Sequence, residues 1–213
     1  MNDKIMKYLK PLIVIILYLE VLPILLTMIS FKNSQITILV RYIVLLVIMI
    51  LLFRKKYIED FKTFKKEYLL DNLKYYIYGL LGMLLFNLII NFIIPGGIPE
   101  NEAMNREFFK SFPLIFIIEV ALLGPICEEL TFRMNFDFIK NDKIFIYGSA
   151  TIFSLVHVLN GITSPIELIY FFPYLSLGLS FGYIYRKTNN IHASIFYHML
   201  HNSITAALIF LTI

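Results

Sequence analysis

From Pro113 to Phe136 the sequence reads PLIFIIEVALLGPICEELTFRMNF, an apolar run that carries a tight group of charged residues near its end. Glu128 and Glu129 are adjacent, and Arg133 follows four residues after Glu129. A charge at the centre of a bilayer costs about 2.5–3.5 kcal/mol on insertion scales, so charged residues in spanning segments are usually paired and functional. The run therefore predicts a polar site inside a membrane.

The composition of the whole chain predicts an all-α, polytopic transmembrane helical bundle. Of its 213 residues, 59% are hydrophobic and 16% are charged, and the mean hydropathy is +0.75. Soluble domains carry about 25% charged residues. The apolar runs are close to the roughly 20 residues that span a bilayer, and they lack the alternation of barrel strands. We expect about seven spans, at 11–30, 36–53, 75–94, 113–136, 144–160, 165–185 and 191–212.

The N-terminal region carries signals of membrane insertion. A charged start leads into a long apolar run that contains Glu20 and has no small-residue cleavage site, which favours an uncleaved first span over a signal peptide. The single cysteine, Cys127, excludes an internal disulfide.

The longest polar connection, residues 54–74, contains seven Lys and Arg residues among aromatics. We expect a cytoplasmic amphipathic helix there, lying on anionic lipids, although a solvated helix would have a similar composition. The net charge of +4 does not suggest binding to nucleic acid, because the basic residues lie in loops between spans.

The distribution of basic residues predicts the orientation, because cytoplasmic loops are enriched in Lys and Arg. We expect an integral protein of the cell (plasma) membrane with a cytoplasmic N-terminus. The inner segments then hold Lys4, Lys7, Lys10, Arg54, Lys55, Lys56, Lys62, Lys65, Lys66, Lys74, Lys140, Lys143, Arg186 and Lys187. The outer loops hold only Lys32, Arg106 and Lys110.

Two later apolar segments place polar side chains at a similar depth. At a rise of 1.5 Å per residue, Glu128 and His198 each lie roughly 12 Å from the inner end of their spans, and His157 lies at roughly 20 Å. The hydrocarbon core is about 30 Å thick, so three spans bring polar groups to one layer near its middle. This agreement in depth favours a shared site.

The spacing within each segment suggests how these residues act. Glu129 and Arg133 share a helix face and are expected to form an ion pair with two hydrogen bonds. Glu128 points about 100° away from Glu129 and is left free to act as a general base. His198 and Asn202, again four residues apart, are placed to bind a water or to donate to an oxyanion.

Each feature also has a structural interpretation that the residues alone leave open. Glu129 and Arg133 would serve as a packing pair, and His157 would bond to a backbone carbonyl. His198 and Asn202 would form hydrogen bonds that link neighbouring helices. We expect structural roles for Glu20, Arg41 and Glu119, and we regard His192 and His201 as weaker candidates for the site.

The ordered motifs resemble a known family. Glu128-Glu129 with Arg133, then Phe153 with His157, then His198 with Asn202, are similar to the motifs of type II CAAX prenyl endopeptidase-like (CPBP, Abi) intramembrane proteases. The resemblance covers about residues 113–205. It implies a catalytic core over 113–213, preceded by spans and the basic helix over 1–112, within one integral domain.

The resemblance also implies the roles of the motif residues. Glu128 and His157 would activate a water, His198 and Asn202 would bind the oxyanion, and Glu129 and Arg133 would support them. Members of the family have been described both as metalloproteases and as metal-independent glutamate proteases. A zinc ion, if present, would be held by Glu128, His157 and His198. We favour a site without metal, because a liganded Glu128 would leave the reaction without a separate base.

Three functions compete at this level. The first is an endopeptidase acting on a peptide or a lipidated protein within the membrane. Since the Ile-, Lys- and Asn-rich composition is typical of a low-GC bacterium, a bacteriocin or signal-peptide precursor is favoured over a prenylated protein. The second is a non-enzymatic bacteriocin self-immunity or scaffold protein. The third is a transporter with a proton relay, against which the lack of a visible inverted repeat counts.

Overall fold

The computed structural model describes residues 3–160 and 162–212, and the side chains of residues 9–160 and 162–211. Lys4 and Lys7, used above to predict the orientation, therefore lie outside the described side chains. The α-helices of the described chain are α1 (Asp3–Ile16), α2 (Leu22–Leu26), α3 (Ser34–Thr63), α4 (Glu67–Ile93), α5 (Glu100–Ser111), α6 (Pro113–Phe116), α7 (Gly124–Phe132), α8 (Asp142–Leu159), α9 (Phe171–Thr188) and α10 (Ile191–Thr212). No β-strand occurs in these residues, and the predicted all-α class is confirmed.

Shorter helical segments link some of these elements. The π-helical segments Leu17–Val21 and Ile117–Leu123 join α1 to α2 and α6 to α7. Single 3-10 segments, Met134–Phe136 and Pro165–Tyr170, precede α8 and α9. The π-helical segments could not be seen in the sequence, and the second of them shapes the site described below.

Six helical segments of the described chain are long and apolar enough to cross a membrane. They are Leu9–Leu26, Ser34–Thr63, Glu67–Ile93, Asp142–Leu159, Pro165–Thr188 and Ile191–Leu211. Many of their large apolar side chains are exposed, as expected for a surface that faces lipid. The predicted polytopic helical bundle is confirmed.

The remaining predicted span, 113–136, differs from the other six. It is helical from Pro113 to Phe132, through α6, the π-helical segment and α7. This run carries three carboxylates, at Glu119, Glu128 and Glu129, and these charges distinguish it from the other six. The prediction of about seven spans thus exceeds by one the number of apolar spanning helices in the described residues.

The basic segment 54–74 does not form a separate helix. Its first ten residues continue α3 to Thr63, the chain is extended at Phe64, and the rest belongs to α4 from Glu67. No Gly or Pro interrupts α3, so the helix continues for about 45 Å, beyond the roughly 30 Å of the hydrocarbon core. The predicted cytoplasmic amphipathic helix is therefore the end of one long helix and the start of the next.

A short helix replaces part of the loop that the sequence predicts before residue 113. Helix α5 begins after Pro99, has Glu100 and Glu102 in its first turn and contains an ion pair between Arg106 and Glu102 at 2.7 Å. Acidic residues in a first turn and pairs four residues apart both favour a helix. This helix lies beside the cavity described below.

Close packing around α9 sets the positions of the helices that carry the motif residues. Helix α9 makes its main contacts with α4 and α8, while α10 packs on α7 and on the π-helical segment Ile117–Leu123. A Cβ atom at Gly178 would lie 3.2 Å from the Cα and Cβ atoms of Ala150, so glycine allows α8 and α9 to approach closely. As a result, α7, α8 and α10 surround one cavity.

Candidate active site

Three helices bring the predicted catalytic side chains to one point. Glu128 lies on α7, His157 near the end of α8, and His198 on α10. The Oε2 atom of Glu128 is 3.5 Å from Nε2 of His157 and 3.6 Å from Nε2 of His198. This oxygen is buried and makes no hydrogen bond within the described protein. Glu128 therefore presents an available acceptor atom between two imidazole rings.

The other nitrogen of each imidazole fixes the orientation of the ring. Nδ1 of His157 donates to the carbonyl oxygen of Phe153 at 2.8 Å, and Nδ1 of His198 donates to Oε1 of Glu129 at 3.0 Å. A carbonyl and an ionised carboxylate only accept hydrogen bonds, so Nδ1 carries the proton in both rings. In the neutral form, both Nε2 atoms then direct lone pairs towards Glu128.

Glu129 connects the site to the core of the bundle. Its side chain is fully buried, and its Oε2 atom accepts a hydrogen bond of 2.5 Å from the hydroxyl of Ser194. Together with the bond to His198, this occupies both carboxylate oxygens. Glu129 thus holds His198 in place and is itself held by α10.

Arg133 pairs with Glu129, but less directly than the spacing predicts. Its Nε atom lies 3.5 Å from Oε2 of Glu129, and both side chains are fully buried. The expected pair of parallel hydrogen bonds is not formed, and Ser194 and His198 are the hydrogen-bond donors to the carboxylate. Arg133 instead donates from Nη2 to the carbonyl oxygen of Gly178 at 3.3 Å, and its guanidinium lies 5.1 Å from the ring centre of Phe153.

Asn202 is anchored on the π-helical segment. Its Nδ2 atom donates to the carbonyl oxygen of Val120 at 2.8 Å. A side-chain amide has two N–H donors, so the second remains available for a ligand. This bond ties α10 to the segment that precedes α7, and it fixes the amide at the cavity wall.

Two site residues were not identified from the sequence. Ser194 lies four residues before His198, which in turn lies four before Asn202, so the regular spacing on α10 would have been a usable signal. The ring of Tyr174 contacts that of His157 with 5.0 Å between ring centres, and its hydroxyl accepts a hydrogen bond from Asn101 at 3.3 Å. One tyrosine among 14 gave no such signal.

The site opens into a cavity of about 760 Å³. Its walls include the four predicted catalytic residues, Glu128, His157, His198 and Asn202, together with side chains from α5 and from the start of α9. Ligand pockets commonly have volumes of roughly 300–1,000 Å³. The cavity therefore has room for several residues of an extended peptide beside Glu128.

The other membrane-embedded polar residues divide into two groups. Arg41 donates to the carbonyl oxygens of Thr27 and Ile29, as expected for a structural role, and His192 contacts the ring of Tyr57 away from the cavity. Glu119, to which the sequence also assigned a structural role, lines the cavity instead. The weaker candidate His201 lines it as well.

The residues suggested for zinc lie slightly farther apart in this structure than zinc ligands do. Two imidazoles and a carboxylate are ligands that zinc uses, and the Nδ1 hydrogen bonds resemble those that support metal ligands. However, no group of three His, Cys, Asp or Glu side chains in the described part of the chain is placed to hold a metal ion. Zinc bonds of 2.0–2.1 Å at tetrahedral angles bring ligand atoms to about 3.3–3.4 Å, less than the distances around Glu128. The steps proposed below therefore use side chains alone.

Comparison with known proteins identifies the region that contains the site. Residues 110–204 match the family model described as Type II CAAX prenyl endopeptidase Rce1-like. The UPF0177 protein YaiH of Lactococcus lactis subsp. lactis (strain IL1403) is 32% identical over 120 residues, which cover 56% of this chain and 47% of that protein. The "Putative membrane peptidase YdiL" of Bacillus subtilis (strain 168) is 25% identical over 136 residues, covering 62% and 46%.

The chain thus spans about half the length of the curated relatives it matches. No solved structure matches it significantly. The matched segment nevertheless contains every motif residue on which the resemblance rests, from Glu128 to Asn202, and it folds as membrane-type helices around them. Residues 110–204 of this chain are therefore similar to the type II CAAX prenyl endopeptidase Rce1-like family, in agreement with the resemblance of the motifs.

Proposed function

We propose that this protein is an intramembrane endopeptidase that hydrolyses a peptide bond of a membrane-associated substrate. The observation that carries the proposal is the position of Glu128, whose available Oε2 atom faces Nε2 of His157 and Nε2 of His198 within the cavity. A carboxylate between two oriented imidazoles is suited to proton transfer during hydrolysis. The match to a protease family supports the same conclusion.

In the first step, Glu128 and His157 activate a water molecule. Their facing atoms are 3.5 Å apart, so one water oxygen can lie about 2.8 Å from each. Glu128 accepts a proton from this water while the oxygen attacks the carbonyl carbon of the peptide. The proton then passes to the leaving nitrogen as the C–N bond breaks, giving a carboxylic acid and an amine.

Asn202 and His198 stabilise the negative charge that develops on the carbonyl oxygen. The second N–H of Asn202 is one donor, because the first is held by Val120. His198 becomes a donor from Nε2 when it is protonated, since its Nδ1 proton already points to Glu129. With His198 protonated, the charges of Glu128, Glu129, Arg133 and His198 sum to zero, which suits a site away from water. Removing one oxyanion donor typically slows an enzyme about 10²–10³-fold.

A small bacterial peptide precursor is the substrate that we favour over a prenylated protein. The matched relatives come from Lactococcus and Bacillus, and the composition of this chain is typical of a similar host. The extensive apolar surface of the spans suits a substrate that arrives through the membrane. A bacteriocin or signal-peptide precursor meets both conditions.

We also propose a location in the cell membrane with the basic ends of α3 and α4 facing the cytoplasm and contacting anionic lipids. Lys62, Lys65 and Lys66 are exposed at the junction of these helices, as that role requires. Labelling of single cysteines introduced on either side of the membrane tests the orientation. A melting temperature that does not rise with phosphatidylglycerol would contradict the lipid contact.

The function is tested by incubating the purified protein, in lipid nanodiscs, with membrane-anchored peptides of varied sequence. We expect cleavage at one bond by the wild-type protein, and we expect it to persist in 1,10-phenanthroline because Glu128 is proposed as the general base and not as a metal ligand. Loss of cleavage in the chelator, restored by zinc, would contradict the metal-free mechanism. If the folded protein cleaves none of the peptides, the immunity or scaffold function is favoured. Ion flux without cleavage would favour a transporter.

Replacing Ser194 with Ala tests whether Glu129 positions His198. The variant removes the 2.5 Å hydrogen bond to Glu129, and we expect kcat to fall by about tenfold or more because His198 becomes less well oriented. The matched control is Ser176→Ala on α9, whose hydroxyl bonds only to its own helix at Phe172. Equal kcat values for the two variants would show that Ser194 does not position the site.

A further inference from the structure

The π-helical segment Ile117–Leu123 turns Glu119 towards the cavity that contains Glu128. Nine residues separate the two carboxylates, and an α-helix turns about 100° per residue, so a regular helix would place them on opposite faces. A π-helical turn holds extra residues and shifts the phase of the helix. Both side chains consequently line the same cavity.

Glu119 has no cationic partner within the described protein. The hydroxyl of Tyr42 is directed at the carboxylate of Glu119. The Oε2 atom of Glu119 is nevertheless buried and makes no hydrogen bond. None of the ion pairs among the described side chains includes Glu119. Arg106, which also lines the cavity, is already bound to Glu102 at 2.7 Å.

We infer that Glu119 binds a cationic nitrogen group of the peptide substrate: a basic side chain or a free amino terminus. A carboxylate in a membrane helix is normally paired, and here the missing partner would come from the ligand that fills the cavity. This inference rests on the proposed endopeptidase function, for which it specifies the substrate. The site would select peptides with a positive charge at a fixed distance from the cleaved bond.

The geometry sets that distance. Nine residues of helix correspond to about 13 Å along the axis, and an extended peptide advances about 3.3–3.6 Å per residue. We therefore expect the cationic group of the substrate about three or four residues along the peptide from the bond that is cleaved beside Glu128. This applies to either direction of the peptide through the cavity.

The test measures binding separately from cleavage. Fluorescent membrane-anchored peptides, each with one Lys moved along the sequence and a matched Gln version, are titrated against the Glu128→Gln protein in nanodiscs. Peptides with free and acetylated amino termini distinguish the two sources of positive charge. We expect one or two charged positions to bind about tenfold or more tighter than their neutral counterparts.

Adding Glu119→Gln is expected to reduce this preference to about twofold or less. Adding Glu20→Gln instead, which changes an exposed carboxylate in the other π-helical segment, is expected to leave the preference in place. The inference is overturned if no charged position is preferred, or if the preference survives Glu119→Gln.

Cleavage by protein with Glu128 intact separates this inference from the proposed function. If cleavage depends on Glu128 but the charge preference is unchanged by Glu119→Gln, only the inference about Glu119 is overturned. A charge preference that depends on Glu119, in a protein that cleaves nothing, supports the cation site and counts against the protease.

Discussion

Replacing Glu128 with Gln is expected to lower kcat/KM for peptide cleavage by about a hundredfold to ten-thousandfold, the range that a general base contributes. Gln keeps the size of the side chain and its hydrogen-bonding capacity, but it cannot accept the proton of the attacking water. Since Oε2 of Glu128 makes no hydrogen bond within the described protein, the variant breaks no hydrogen bond at this atom, and we expect it to fold. Initial rates and the melting temperature of the same preparation provide the measurement.

Glu20→Gln is the matched control for that experiment. Glu20 is a second carboxylate in an apolar helical run, but it is exposed and lies away from the cavity. We expect its rate to remain within about twofold of the wild type. If the Glu128→Gln protein cleaves as fast as this control, Glu128 is not the general base and the proposed mechanism is wrong.

Replacing Arg133 with Met is expected to have the largest effect on stability, lowering the free energy of unfolding by about 3–5 kcal/mol. Arg133 and Glu129 are both fully buried, so the variant leaves Glu129 without its cation. Met also loses the bond to the carbonyl oxygen of Gly178 that links α7 to α9. Denaturant-induced unfolding in mixed micelles, followed by loss of helical signal, gives the difference.

Two controls separate charge burial from general damage. Arg106→Met removes an ion pair that is about one-third exposed, and we expect it to cost about 1 kcal/mol or less. Glu129→Gln combined with Arg133→Met removes both buried charges, and we expect it to recover part of the lost stability. A loss for Arg133→Met as small as that for Arg106→Met would show that the buried pair does not stabilise the bundle.

The sequence was sufficient to predict the helical membrane fold and the convergence of the motif residues. Charges are rare in spanning segments, so Glu128 and Arg133 stood out from the apolar residues around them. The spacing of four residues between His198 and Asn202 correctly indicated that both face one cavity. Their catalytic roles remain predictions that the experiments above address.

Other features depend on contacts that a linear pattern does not contain. The π-helical segment breaks the periodicity of 3.6 residues, so the sequence pattern did not indicate that Glu119 lines the same cavity as Glu128. The competition for Glu129 between Ser194, His198 and Arg133 arises only when α7 and α10 pack together. The boundary of α3 was placed too early because the change from apolar to basic residues at Arg54 is not a change in helix.

The most direct test of the central claim is single-turnover cleavage in water enriched in ¹⁸O, with the protein in excess over a membrane-anchored peptide. If Glu128 activates water for direct attack, mass spectrometry will find one ¹⁸O atom in the new carboxylate of the fragment, and Glu128 will remain unlabelled. Label transferred to Glu128 with an unlabelled fragment would show that Glu128 is a nucleophile. An intact peptide panel, with folded wild-type protein, would contradict the protease itself.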